Sequence, residues 1–231
     1  IPKRWGQSSC RADDQMAEQR EKHHRPIRSF VRRAGRLTTS QQRALDELWP
    51  RYGLEYAPEA IDFDALFGRN APVVLEIGFG NGETLVAMAA ERPEQDFLGI
   101  EVHDPGVGHC LIAADKAGVT NLKLIVHDAI EVLEHQVPSA SLARINLYFP
   151  DPWPKKRHHK RRIVQPGFLA LCADRLAAGG AMHIATDWAN YAEHIDAAFA
   201  ESEDFRCAER REHAGDRPLD HAVTTFQRRG L

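Results

Sequence analysis

Residues 73–82 read VVLEIGFGNG. VVLEIG (73–78) is a short apolar run with β-branched residues, the pattern of a buried strand, and a helical pattern follows from Gly82 to Glu91. A strand that passes through a glycine loop straight into a helix is the opening unit of an α/β sheet. Gly78, Gly80 and Gly82 let the backbone turn tightly and let a ligand approach where a side chain would block it.

The same alternation continues downstream. FLGIEV (97–102), LKLIVH (122–127), ARINLYF (143–149) and AMHIAT (181–186) read as strands. Between them, helices are expected at Gly106 to Ala117, from about Ala129, and from Phe168 to Leu176, the last ending at Gly179-Gly180; one more runs from Trp188 to Ala200. Two shorter strands, around 205–209 and 222–227, flank a polar Gly/Pro-containing loop and predict a terminal antiparallel hairpin. The expectation is a mostly parallel, seven-stranded sheet with helices on both faces. Upstream, Ser40 to Trp49 reads as a short helix with Ser40 as its N-cap. Residues 1–36 lack apolar periodicity. The domain organisation is therefore a basic, flexible N-terminal arm (1–36) on a single domain (37–231).

Net charge is −3, which by itself argues against a nucleic-acid partner, but the charges are unevenly placed. Residues 1–36 carry ten Lys/Arg against four Asp/Glu, and KKRHHKRR (155–162) carries six Lys/Arg and no acid. Two concentrated basic segments on an otherwise acidic chain point to a local polyanion site. The plainer alternative for such a run is solvated surface. No apolar run reaches the roughly 18 residues of a membrane span, and the polar, basic start is not that of a signal peptide. Cys10, Cys110, Cys172 and Cys207 are far apart, which predicts reduced thiols in a cytoplasmic protein. No metal site is expected: His23 and His24 have no partner at ligand spacing.

Ligands of open α/β sheets bind outside the carboxyl ends of the strands. Here those ends carry acids: Glu76 in the first, Glu101 on the second, Asp128 after the third and Asp151 after the fourth. A carboxylate can accept from both hydroxyls of a ribose and repels phosphate. A cationic, phosphate-free adenosine derivative suits this rim, which makes S-adenosylmethionine the expected cofactor. A dinucleotide site is the competing possibility, but Glu83 stands where the third glycine of GxGxxG belongs.

FPDPWPKKRHHKRR (149–162) is the most specific stretch. Prolines flank Asp151 and make a rigid loop that holds its carboxylate in place beside a cationic run. Trp153 is either a stacking platform for a base or a buried anchor. Such an acid next to a phosphate-binding surface is what a nucleic-acid base modifier needs.

With EIGFGNG (76–82), GIEVH (99–103), HDA (127–129), FPDPWPKKRHHKRRIVQP, ATDW (185–188) and TTFQRRG (224–230), the chain from about Arg28 onward resembles the tRNA (guanine-N7)-methyltransferase family. The resemblance implies the class I methyltransferase fold, S-adenosylmethionine as cofactor and a guanosine of the tRNA variable loop as target. It implies cofactor binding by Glu76, Gly78, Gly80, Glu101, Asp128 and Asp151, with Asp151 also the catalytic residue. Substrate contacts are implied for Lys155, Asp187, Thr224, Thr225, Phe226 and Gln227, and RNA contacts for Arg157, His158, His159, Lys160, Arg161 and Arg162. Gln227 stands where the family motif has a glutamate. A binding module that has lost activity and a nicotinamide-dependent oxidoreductase are the alternative functions.

Guanine N7 has an in-plane lone pair and no proton, so its methylation needs placement and electrostatics but no general base. Asp151 is then expected to stabilise the positive charge that develops on the purine. Asp187 can accept from the guanine N1–H and exocyclic amine, or serve as the N-cap of the helix after it.

Overall fold

The computed structural model describes residues 29–30, 35–213 and 221–228. Most of the basic arm lies outside the described residues, as do His23 and His24. Helix α1 spans Thr39–Tyr52 and α2 spans Phe63–Phe67. There follow β1 (Val73–Ile77), α3 (Glu83–Glu91), β2 (Asp96–Glu101), α4 (Asp104–Ala117), β3 (Leu122–Val126), α5 (Ala129–His135) and β4 (Leu142–Tyr148). After a 3-10 turn at Lys156–Arg161 come α6 (Pro166–Arg175), β5 (Leu176–Thr186), α7 (Ala189–Ala200), β6 (Phe205–His213) and β7 (His221–Arg228).

The strands form one seven-stranded sheet in the order β3-β2-β1-β4-β5-β7-β6. β1 to β5 pair in parallel; β7 runs antiparallel between β5 and β6. The expected sheet and terminal hairpin are therefore present. All five residues of β1 are buried, as a central parallel strand covered on both faces requires. Two apolar cores result. One gathers Leu75, Ile145, Ile184, Leu169 and Ile195 under α5, α6 and α7. The other gathers Val74, Leu124, Leu85 and Leu111 under α3, α4 and α1.

Two local expectations are corrected. The N-cap of α1 is Thr38, not Ser40: its hydroxyl accepts from the Gln41 N–H and the Gln41 side chain accepts from the Thr38 N–H, a reciprocal capping box. Gly179-Gly180 does not terminate a helix. α6 passes directly into extended backbone at Leu176, and the glycines lie inside β5. There the register against β4 shifts between Leu142 and Arg144, and Gly179 has a φ of 76°. A bulge and a helix end both favour glycine, so the residue type alone does not separate them. No helix among the described residues is long and apolar enough to cross a membrane.

Candidate active site

The sheet reverses its winding at β1: β2 and β3 lie to one side of it, β4 and β5 to the other. Such a switch point opens a crevice at the strand carboxyl ends. A cavity of about 670 Å³ lies there, lined by Ile77 and Gly78, by Ile100 to His103, by His127 and Ala129, and by Leu147 to Pro154. Its glycine loop adopts φ values of 70°, 57° and 75° at Gly78, Gly80 and Gly82, conformations that a Cβ opposes.

Glu101 organises this rim. Its Oε2 accepts from the Gly80 N–H at 2.9 Å, and its Oε1 accepts from the N–H groups of Val102 (2.6 Å) and His103 (3.1 Å). The carboxylate thus joins the loops after β1 and β2, and its orientation is set by three backbone donors. Asp128 is the N-cap of α5, its Oδ1 accepting from the Ile130 N–H at 3.0 Å. Next to it, His127 stacks on Tyr56 with ring centroids 3.7 Å apart and pairs with Glu131. Neither stacking partner was expected from the sequence, because 71 residues separate them.

Glu76 is placed differently. Strand alternation turns it to the face opposite Ile77. It is 3 % exposed, and its Oε2 has no hydrogen-bond partner. Burial pushes its carboxyl up to about 7. Register sets Glu76 beside Asn146 and Asn146 beside His183. Asn146 Oδ1 is likewise unpartnered, and burial, the largest cause, pushes His183 down to about 4. An orphaned buried acid under a glycine loop is a ready acceptor for a cationic group, consistent with the ammonium of an amino-acid-like ligand.

Asp151 is exposed and lines the cavity. Its loop is tied at both ends. The Phe149 N–H donates to the Ala185 carbonyl at 2.8 Å, and Arg162 Nε donates to the Pro152 carbonyl at 2.9 Å. Arg162 is the chief departure from expectation. It is 2 % exposed, it donates to Asn190 Oδ1 at 2.8 Å, and its guanidinium lies 4.8 Å from the Tyr191 ring centroid. It braces the Asp151 loop against α7 and does not face solvent, unlike the other cations of the run. His159 shares this inward role through Nε2, 3.2 Å from Arg162 Nη2. Lys155, Lys156, Arg157 and Lys160 are exposed and Arg161 partly so, leaving these five as the cationic surface. His158 is partly exposed beside them, and desolvation and the neighbouring Arg157, Arg161, Lys155 and Lys160 push its pKa down.

Trp153 serves as an anchor. Its Nε1 donates to the Ser29 carbonyl at 3.1 Å, and Arg161 lies 4.9 Å from its ring centroid. Ser29 and Phe30 thereby join the cavity wall. Asp187 is exposed at the end of β5 and does not cap α7: Trp188 occupies the cap without a side-chain bond, and Thr186 Oγ1 accepts from the Trp188 N–H. Thr224, Thr225, Phe226 and Gln227 lie on β7 opposite Ile184, His183, Met182 and Ala181 of β5. No group of three or more His, Cys, Asp or Glu suited to a metal occurs among the described residues.

The family model described as "Putative methyltransferase" matches residues 70–230. The tRNA (guanine-N(7)-)-methyltransferase of Aeromonas hydrophila is 56 % identical over 209 residues, covering 90 % of this chain and 88 % of that protein. Its namesake from Psychromonas ingrahamii is 54 % identical over 221 residues, covering 95 % and 90 %. The chain belongs to the tRNA (guanine-N7)-methyltransferase family. The glycine loop is therefore a methyltransferase loop, and the dinucleotide alternative falls. Among solved structures, the 16S rRNA methyltransferase KamB is similar in fold, with a TM-score of 0.54 at 17 % identity, covering 74 % of this chain and 95 % of KamB. TrmN from Thermus thermophilus has a TM-score of 0.56 at 17 % identity, covering 72 % of this chain and 47 % of TrmN. At these identities they speak for the class I fold alone. As a member of the tRNA (guanine-N7)-methyltransferase family, the chain is an enzyme of RNA methylation.

Proposed function

We propose that this enzyme transfers the methyl group of S-adenosylmethionine to N7 of a guanine in the variable loop of tRNA. The observation that carries the reading is the position of Asp151, between the cavity that holds the Glu101 rim and the cationic turn that begins five residues later. Bound, S-adenosylmethionine supplies an electrophilic methyl on a sulfonium. Glu101 accepts from the ribose hydroxyls with its remaining lone pairs. Glu76 receives the ammonium, and Asp128 closes the rim on the β3 side. Lys155, Lys156, Arg157, Lys160 and Arg161 hold the tRNA backbone, joined by the basic arm (1–36). Asp187 accepts from the N1–H and amine of the guanine, leaving N7 on the opposite edge free to face the methyl. Asp151 stabilises the positive charge that the purine gains, without taking a proton. The rim of carboxylates disfavours a phosphate-bearing cofactor. Cytoplasmic tRNA is the substrate pool this reading requires.

The test is methyl transfer from labelled S-adenosylmethionine to bulk tRNA, followed by nucleoside analysis. 7-Methylguanosine as the labelled product is the expected result. Tight tRNA binding without transfer would favour an inactive binding module instead.

A further inference from the structure

Among the described residues, three non-glycine residues have positive φ, and two of them stand symmetrically about Asp151: Phe149 at 51° and Trp153 at 44°. Such backbone is strained for a residue with a Cβ and persists only where the surroundings hold it. At Trp153 the surroundings are the Ser29 carbonyl and the Arg161 guanidinium. At Phe149 the backbone is held by the Ala185 carbonyl, which pins it where β4 leaves the sheet next to β5. Phe149 is 48 % exposed, and it lines the cavity beside Asp151. A half-exposed phenyl is thus held at the cavity edge on strained backbone anchored to β5.

Its place between two acids gives it a task. Asp151 follows it by two residues on the same loop, and Asp187 lies just past the end of the neighbouring strand β5. Guanine N7 and the N1–H/2-amino edge are on opposite sides of the purine. A base that offers N7 toward the Asp151 side and its other edge to Asp187 spans the ends of β4 and β5, where Phe149 lines the cavity. We infer that Phe149 is the platform on which the target guanine stacks. The inference rests on the N7-methylation reading above. Stacking fixes the plane of the purine, and the N7 lone pair lies in that plane, so the ring sets the direction of attack on the methyl. It also compensates the base for the neighbours it leaves in the RNA.

The experiment compares wild type, Phe149→Leu and Phe149→Tyr in tRNA methylation, with melting temperature and S-adenosylmethionine affinity measured on each. Phe149→Leu is expected to lose about tenfold or more in kcat/KM for tRNA, the loss of one base–aromatic stack. Cofactor affinity and melting should stay near wild type, and Phe149→Tyr should retain most activity. A Leu variant within twofold of wild type, or Leu and Tyr variants equally impaired, would overturn the inference. A second measurement needs no variant. Wild-type enzyme is irradiated with tRNA carrying 6-thioguanosine at the acceptor position, and the cross-linked peptide is identified. Attachment at Phe149 supports the platform; attachment only at Trp153 or Trp188 overturns it. Wild-type enzyme that makes no 7-methylguanosine overturns the proposed function and this inference with it, whereas active wild type with an indifferent Phe149 overturns the inference alone.

Discussion

Arg162 donates from Nε to the carbonyl of Pro152, the residue next to Asp151, across 2.9 Å. The guanidinium is buried and held in turn by Asn190 of α7, so this end of the Asp151 loop is fastened to the body of the domain through a buried cation. Replacing it by methionine leaves the Pro152 carbonyl and Asn190 without their donor, at a cost of about 1–3 kcal/mol. Arg162→Met is expected to lower the melting temperature and kcat while leaving the salt dependence of tRNA binding unchanged. A flattened salt slope, measured by titration at several ionic strengths, would return Arg162 to the RNA surface.

Asp151→Asn keeps the shape of the side chain and removes its charge. Loss of one preorganised electrostatic contact lowers kcat by roughly 10²–10³. Single-turnover rates should show this drop with cofactor affinity and melting temperature preserved. Near-normal turnover would remove Asp151 from the chemistry.

The exposed cations behave differently from Arg162. Alanine at Lys156, Arg157 and Lys160 together is expected to weaken tRNA binding and to reduce the log–log salt slope by about 0.7–0.9 for each phosphate no longer neutralised. The rate at saturating tRNA should change little. Filter binding across a salt series gives both quantities.

Glu101 joins Gly80 to Val102 and His103 through three accepted hydrogen bonds. Glu101→Ala should therefore weaken S-adenosylmethionine binding and also loosen the glycine loop. Calorimetric titration is expected to show at least a tenfold rise in Kd, since a carboxylate hydrogen bond contributes about 1.5–3 kcal/mol. Unchanged affinity would exclude the ribose role.

Glu76 predicts a pH dependence of stability. Its folded carboxyl is raised to about 7, above its unfolded value near 4.5. The native state then holds a proton that the unfolded state has released. In the unliganded enzyme its contribution is neutral below about pH 4.5, turns unfavourable as pH rises toward 7, and is constant above that, with an upper bound of about 3 kcal/mol. Glu76→Gln should raise the melting temperature of the unliganded enzyme at pH 8 more than at pH 5, while weakening cofactor binding. Equal shifts at both pH values would contradict the assignment.

Much of this was legible in the chain. The strand–loop–helix at 73–91 announced the fold because buried parallel strands and glycine turns are local patterns. Asp151 was legible because three prolines around a lone acid have few structural uses. The carboxylates at the strand ends were found by position, since α/β sheets bind ligands at one end. What the sequence could not distinguish was which of several chemically identical residues faces inward. Arg161 and Arg162 are adjacent and equal in type, and only the contact with Asn190, 28 residues on, buries the second. The register neighbours of Glu76, Gly99 and Asn146, come from two other strands and leave one of its oxygens unpartnered where no periodicity could reveal it. Phe149 reads as the last residue of an apolar strand, and the Ala185 carbonyl that holds its backbone at positive φ comes from a strand 36 residues away. Backbone pattern is set by near neighbours along the chain. Burial, bracing and strain are set by whatever the fold packs alongside, and those were decided only by the tertiary structure.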